Sequence, residues 1–342
     1  MKVGMYYNNS DVRVEEQPIP EIGDSDLLIK TAACGICGSD VLEWYRIKKA
    51  PLVLGHEYAG TITSAGKDVK GFKAGDRVFA THHVPCDECY YCKSGHETAC
   101  VTFQSKNNFA PGGFSEYLRV SGKSVETGVV VLPDKMTFEQ ATFIEPLGTV
   151  ARGQRALHIK KGDCVLVLGV GIAGLLHVKL AKAKGAAVIV ATDMNQYRLD
   201  AAVKYGATSV VMAGQDLLEA VKKANNGRLA DKVIICTGAK SAAIQGLSAV
   251  DKGGTVLFFA VPNPGDTIAM DFNPYWRDDI SIKTSYGASP RDNKEALELI
   301  SSGKVNVDDM ITHTLGIDEI GKGFQLAAEG KDCLKVVVKI NP

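Results

Sequence analysis

At 342 residues the chain exceeds the length at which one hydrophobic core keeps growing, so two domains are expected. Thirty-nine basic residues balance thirty-nine acidic ones, which leaves no electrostatic footprint for nucleic acid or for an anionic membrane. A hydrophobic fraction of 45% with 35 glycines suits a soluble α/β enzyme. No apolar run approaches the roughly eighteen residues of a membrane span, the first residues lack the apolar stretch of a signal peptide, and a cytoplasmic location is expected.

In chain order, the first half reads as short β runs closed by turn residues. Residues 27–31, 58–63 and 77–80 are strands, punctuated by Gly66, Gly71-Phe72 and Gly75-Asp76. They predict a compact antiparallel β domain. Next comes Cys86-x2-Cys89-x2-Cys92-x7-Cys100, four thiols among turn formers such as Asp87, Glu88, Ser94 and Gly95. Knuckles of this spacing deliver thiolates to a tetrahedral Zn²⁺, and with all four positions filled such a site is structural. Two disulfides would need an oxidising compartment, which nothing in the sequence suggests.

From about Val150 the texture changes. Apolar runs at 164–168, 187–191, 209–212, 232–236 and 255–260 recur at roughly 20-residue spacing, with helical segments such as 175–184 and 242–250 between several of them. Such alternation predicts a parallel, doubly wound sheet buried on both faces. The run 164–168 leads straight into Gly169-Val170-Gly171-Ile172-Ala173-Gly174 and a helix, and the next strand ends at Asp193. In this strand–turn–helix setting the glycines form a dinucleotide fingerprint: a tight turn, close approach to a pyrophosphate, and close helix packing. Asp193, nineteen residues after Gly174, would accept the ribose hydroxyls and repel a 2′-phosphate, favouring NAD over NADP; Arg198 could neutralise that phosphate or stack on adenine. After Gly287 a helix at 293–301, a strand at 311–315, a helix at 317–329 and a strand at 334–340 return to the first domain. The expected domains are therefore 1–148, 149–287 and a return segment, 288–342.

Cys37, His56, Glu57 and Glu145 are further zinc-ligand types, unremarkable singly. Their settings, Cys34-Gly-Ile-Cys37-Gly-Ser39-Asp40, Gly55-His56-Glu57, Gly75-Asp-Arg-Val78, Gly112-Gly-Phe-Ser-Glu-Tyr117 and Glu145-Pro-Leu147, together with the cysteine lobe and the glycine fingerprint, resemble the zinc-dependent medium-chain alcohol/polyol dehydrogenases along the whole chain. Glu57 and Glu145-Pro-Leu resemble the sorbitol, galactitol-phosphate and threonine dehydrogenases. The resemblance implies a GroES-like catalytic domain and a Rossmann domain, one catalytic and one structural zinc per chain, and hydride transfer between NAD and a secondary alcohol or its ketone. It implies that Cys37 and His56 hold the catalytic zinc with Glu57 or Glu145 as third ligand, that Ser39 takes the substrate proton, and that Asp40 orients His56. Where polyol dehydrogenases often carry a relay histidine, this chain has Leu42, so protons must leave by the ribose, by water or by Glu43. A homodimer or homotetramer is implied, with the strand near 281–285 pairing between subunits. A threonine-type amino-alcohol dehydrogenase is the alternative substrate class. A nucleotide-binding protein without chemistry is argued against by the intact Cys37, His56, Glu57 and Ser39. His82 and His83 could border the substrate cleft, though packing or surface roles are favoured, and Lys335 could approach the cleft, though a strand lysine is usually solvated.

Overall fold

The computed structural model describes residues Met1–Asn341. Two compact units result: Met1–Gly148 joined by the return segment from Gly287, and Thr149–Tyr286 between them in sequence.

The Thr149–Tyr286 unit is built on a six-stranded sheet. Its order is Ser209–Met212, Val188–Asp193, Cys164–Leu168, Ala230–Ile235, Val250–Phe258, Ser281–Thr284, and every pair is parallel. All five residues of Cys164–Leu168 are buried, as continuous apolar strands require when helices cover both faces. Each of these side chains removes roughly 1.5–3 kcal/mol worth of apolar surface from water. The helices Ile172–Ala183, Gln196–Tyr205, Leu217–Ala224 and Lys240–Ser248 supply the crossovers. Local chemistry ends them cleanly: Asn195 and Asp216 accept backbone N–H groups at two N-caps, and Gly206 closes one C-terminus in the left-handed region. Ser281–Thr284 lies at the sheet edge and is largely exposed.

The other unit is antiparallel for most of its pairings. One sheet runs Ile311–Gly316, Lys335–Lys339, Leu27–Gly35, Glu57–Ala65, Arg77–Ala80, Val129–Val131, and a small sheet orders Asp11–Glu16, Lys2–Asn8, Leu52–Val53. Its core gathers Tyr6, Ile29, Tyr58, Ile62, Phe114, Leu118, Phe324 and Val336. The return segment closes this core, since Val337 pairs with Gly35 and Val338 with Cys34 while Gly35 pairs with Glu57 on its other side. Three strands far apart in sequence thereby meet at one register position. The strand Lys2–Asn8 and its partner Asp11–Glu16 were not among the sequence expectations, because their apolar residues are broken by Gly4, Asn8 and the charged alternation at Arg13, Glu15 and Glu16.

Candidate functional site

Cys86, Cys89, Cys92 and Cys100 stand on two short helical turns, Tyr90–Lys93 and Glu97–Ala99, and the loops beside them. Their ligand atoms all lie within 4.8 Å of one another. The Sγ···Sγ separations Cys89–Cys92, Cys86–Cys100 and Cys86–Cys92 are 3.5, 3.6 and 3.9 Å. Those are far longer than a disulfide and match the edges of about 3.8 Å that a tetrahedron of Zn–S bonds near 2.3 Å would have. Burial raises Cys92, helped by the Cys89 thiol, to about 12. Burial also opposes ionisation of Cys100, but the backbone N–H groups of Cys86 and Phe103 outweigh it and hold this thiol at about 6. Four thiols this close resist joint ionisation, and a divalent cation bound by all of them would lift that repulsion. The donor set fits zinc.

Cys37, His56 and Glu57 form the second set whose ligand atoms lie within 4.8 Å of one another. Cys37 caps the turn Gly38–Asp40: its Sγ accepts from Ser39 N at 3.4 Å, and Asp40 Oδ2 accepts from Cys37 N at 3.1 Å. Asp40 is fully buried, with Oδ1 3.4 Å from Arg46 Nη2 and 3.6 Å from His56 Nδ1. Burial raises the Asp40 pKa, and the charges of His56 and Arg46 only partly counter it. Burial works against charge on His56 too, yet Asp40 and Cys37 more than offset it and raise its pKa well above the usual value. Glu57, the first residue of its strand, is fully buried; one oxygen pairs with Lys335 Nζ, while Oε1 has no hydrogen-bond partner among the described residues. A cysteine sulfur, an imidazole and an orphaned carboxyl oxygen converging in this way suit a zinc ion with room for one more ligand.

Glu145 does not belong to that mutual set, but it feels it. Burial, reinforced by Glu57 and Asp40 and opposed by His56 and Lys335, raises its pKa to about 7. Ser39 Oγ sits 3.4 Å from Cys37 Sγ and accepts from Arg46 Nη2 at 3.0 Å. Leu42 is 45% exposed.

In the other unit, Gly169 follows its strand with φ 85°, and Gly171 caps the helix Ile172–Ala183. A Cβ on Gly174 would lie 2.1 Å from Gly169 O, so only glycine lets the helix sit this close to the turn. Nothing lies within 4 Å of the place where a Gly171 Cβ would be, which leaves the turn open to a ligand. Val170 is buried, and Ile172 and Ala173 begin the helix, whose N–H groups face outward at a partly positive terminus. Asp193 accepts from Val170 N at 2.8 Å and from Asn195 N at 3.0 Å, with Arg198 Nη1 3.8 Å from its Oδ1.

Two family models match the chain, "Alcohol dehydrogenase GroES-like domain" over residues 23–134 and "Zinc-binding dehydrogenase" over 171–302. The sorbitol dehydrogenase of Bacillus subtilis is 31% identical over 100% of this chain and 98% of its own length. The L-threonine 3-dehydrogenase of Alteromonas mediterranea is 30% identical over 93% of each. The chain belongs to the zinc-dependent medium-chain alcohol/polyol dehydrogenases. Among solved structures, an alcohol dehydrogenase from Thermus sp. ATN1 superposes with a TM-score of 0.90 at 26% identity, covering 100% of both chains. As a medium-chain dehydrogenase the protein pairs a GroES-like unit with a Rossmann sheet and acts on a small molecule. Among the described residues no helix is long and apolar enough to cross a membrane.

The structure adds partners for two residues that the sequence had singled out, Lys335 and His82, and brings in a third, Arg46, that it had not. Lys335 is fully buried against Glu57, so of its two sequence readings the solvated one does not hold; the apolar run Val336-Val-Val338 between two lysines marks a strand, but not which lysine meets a carboxylate. The His82 ring lies 5.3 Å from that of His56 and 3.9 Å from that of His83, and burial followed by the nearby histidines lowers its pKa well below the usual value. His82 thus packs against the rings of His56 and His83, next to the candidate metal ligands. Arg46 grips Ser39 and Asp40, and its only sequence signal is a position one helical turn past Leu42. Trp44 and Tyr45 are 46% and 38% exposed, whereas Phe109 is buried in the core.

Proposed function

We propose that this chain is a zinc-dependent oxidoreductase that moves a hydride between a secondary alcohol of a polyol, cyclitol or sugar derivative and NAD. The observation that carries the reading is the convergence of Cys37, His56 and Glu57 beside Ser39 and Asp40. In this reading Cys37, His56 and Glu57 hold the catalytic zinc, with Glu145 as the outer carboxylate, and the four-cysteine lobe holds a second zinc. Bound there, zinc supplies a Lewis acid with one exchangeable position that favours loss of the alcohol proton. Asp40, sharing its charge between His56 and Arg46, orients the imidazole through Nδ1 and leaves Nε2 as the metal-facing nitrogen. Ser39 Oγ receives the substrate proton. A guanidinium cannot take it onward, because it does not give up its own proton, so with Leu42 in place of a relay histidine the outlet is water, the ribose or Glu43.

The turn Gly169 to Gly174 cradles the pyrophosphate in the Thr149–Tyr286 unit, and Asp193 meets the adenosine ribose. Support for NAD over NADP comes from Asp193 itself and from Arg198, whose charge already leans on that carboxylate. The exposed edge strand Ser281–Thr284 is where a second copy would add its own strand in a dimer or tetramer. Free thiols throughout the chain suit the reducing cytoplasm. The similarity to an L-threonine 3-dehydrogenase keeps an amino alcohol as the second substrate class.

The deciding experiment is NADH formation by purified, zinc-quantified protein on a panel of polyols, cyclitols, their phosphates and threonine, with NAD and with NADP. Turnover of a polyol with NAD that vanishes in Cys37→Ser is expected. Turnover confined to threonine would select the second class, and inertness with one zinc per chain would overturn the catalytic reading.

A further inference from the structure

Glu57 and Lys335 form an ion pair with neither side chain exposed, 278 residues apart in sequence. Lys335 Nζ also donates to Ile36 O at 3.2 Å and lies 5.7 Å from the centre of the Phe143 ring. Burying two charges costs several kcal/mol in desolvation, and such pairs are poor sources of stability. The local chain is nevertheless shaped around this one. A Cβ on Gly35 would lie 2.5 Å from Glu57 Oε2 and 2.7 Å from Lys335 Cε, so glycine is needed for the two side chains to meet. The result is an asymmetric carboxylate: Oε2 is taken by the ammonium, and Oε1 is buried without a partner among the described residues.

A carboxylate can bind a metal through one oxygen or through both. Cys37, His56 and both oxygens of Glu57 would fill four positions and close the site, as in a structural centre. We propose that Lys335 is a positioning residue that occupies Oε2, so that Glu57 offers zinc only Oε1 and one position stays free for substrate. The proposal rests on the reading of Cys37, His56 and Glu57 as the catalytic ligands. Lys335 touches no reacting atom; it acts through Glu57.

The test compares wild type, Lys335→Met, Glu57→Gln and the double variant, each as full-length metal-loaded protein. Three quantities are read: release of zinc to a chelator, the visible absorption of the cobalt-substituted protein, and kcat against KM. The four-cysteine lobe contributes the same background to all four. In K335M the freed oxygen is expected to take the fourth position, so zinc leaves about tenfold more slowly, the cobalt band shifts as the second Glu57 oxygen replaces the exchangeable ligand, and kcat/KM falls about 10- to 100-fold, mainly through a higher KM because substrate must displace that oxygen. The double variant should match E57Q, because Lys335 has nothing to hold once the carboxylate is gone. A merely structural lysine predicts the opposite sign, a loosened metal, and unchanged or faster zinc release with an unchanged cobalt band would overturn the proposal. If E57Q itself leaves both metal readouts untouched, the ligand assignment fails instead. Should K335M not fold, Gly35→Ala separates the same two side chains without removing either charge and is read by the same three measurements.

Discussion

All four donors of the cysteine lobe come from the fifteen residues Cys86 to Cys100, whereas Cys37, His56 and Glu57 are brought together by a turn, a loop and a strand start, with Lys335 arriving from the return segment. The lobe holds like donors in near-equal spacing and leaves no place for a fifth group. The second cluster mixes sulfur, nitrogen and oxygen and surrounds them with charges that belong to neither ligand nor solvent: Asp40, Arg46 and Lys335. Local sequence suffices to close a site. If Lys335 restrains Glu57 as proposed, keeping a site open takes long-range partners, because a relaxed ligand set would otherwise complete its own coordination.

That contrast breaks first at Cys37. Cys37→Ser is expected to remove several kcal/mol of transition-state stabilisation, about a thousandfold or more in kcat/KM, while the far-ultraviolet circular dichroism and the zinc of the lobe are retained. The converse holds for Cys92→Ser. It should cost one zinc per chain and about 3 kcal/mol of stability, roughly 6–12 °C in the first melting transition, measured by metal analysis and calorimetry. Asp40→Asn sharpens the comparison from the side of the restraining charges, since it keeps the shape and removes the charge shared by His56 and Arg46. A loss of about 10- to 100-fold in catalytic-site metal affinity is expected, with the lobe unaffected, as read by competition with a chelator.

The smallest effect lies outside both clusters. His177 is fully buried, its ring centre 4.7 Å from that of Phe259, and burial lowers its pKa from 6.5 to about 3. In this window the unfolded chain binds a proton that the folded one refuses, so the fold is unpenalised above pH 6.5 and loses stability as pH falls toward 3. At pH 5 the loss is about 2 kcal/mol. His177→Leu should flatten the acid limb of the stability curve measured by urea titration, and an unchanged limb would show that other groups carry it.

Much of this molecule could be read before its structure. The four-cysteine cluster was legible because all its donors are local, and the glycine turn after Cys164 to Leu168 because strand, glycines and helix are consecutive. The Cys37, His56, Glu57 set was legible only through family resemblance, since no spacing rule joins a cysteine capping one turn to a His-Glu pair nineteen residues on. Arg46 was not legible, and of Lys335 and His82 the sequence showed only that they could lie near the cleft, not what they touch. Their importance comes from strand pairing and side-chain packing, as when Val337 opposite Gly35 and Glu57 opposite the same glycine bring a lysine and a carboxylate together. The glycine needed there carries no signal of its own in a chain with 35 of them.

The separation of 278 residues between Glu57 and Lys335 also sets an order on synthesis. Every residue of the Thr149–Tyr286 unit must leave the ribosome before the strand Lys335–Lys339 can pair with Leu27–Gly35. Until then Glu57 has no ammonium beside it, and the β-rich unit lacks an inner strand of its main sheet. During translation the four cysteines of Cys86 to Cys100 can come together early, whereas the pairing of Glu57 with Lys335 is among the last contacts to form, so a chain cut short before Lys335 would keep the first cluster and lack the partner of the second.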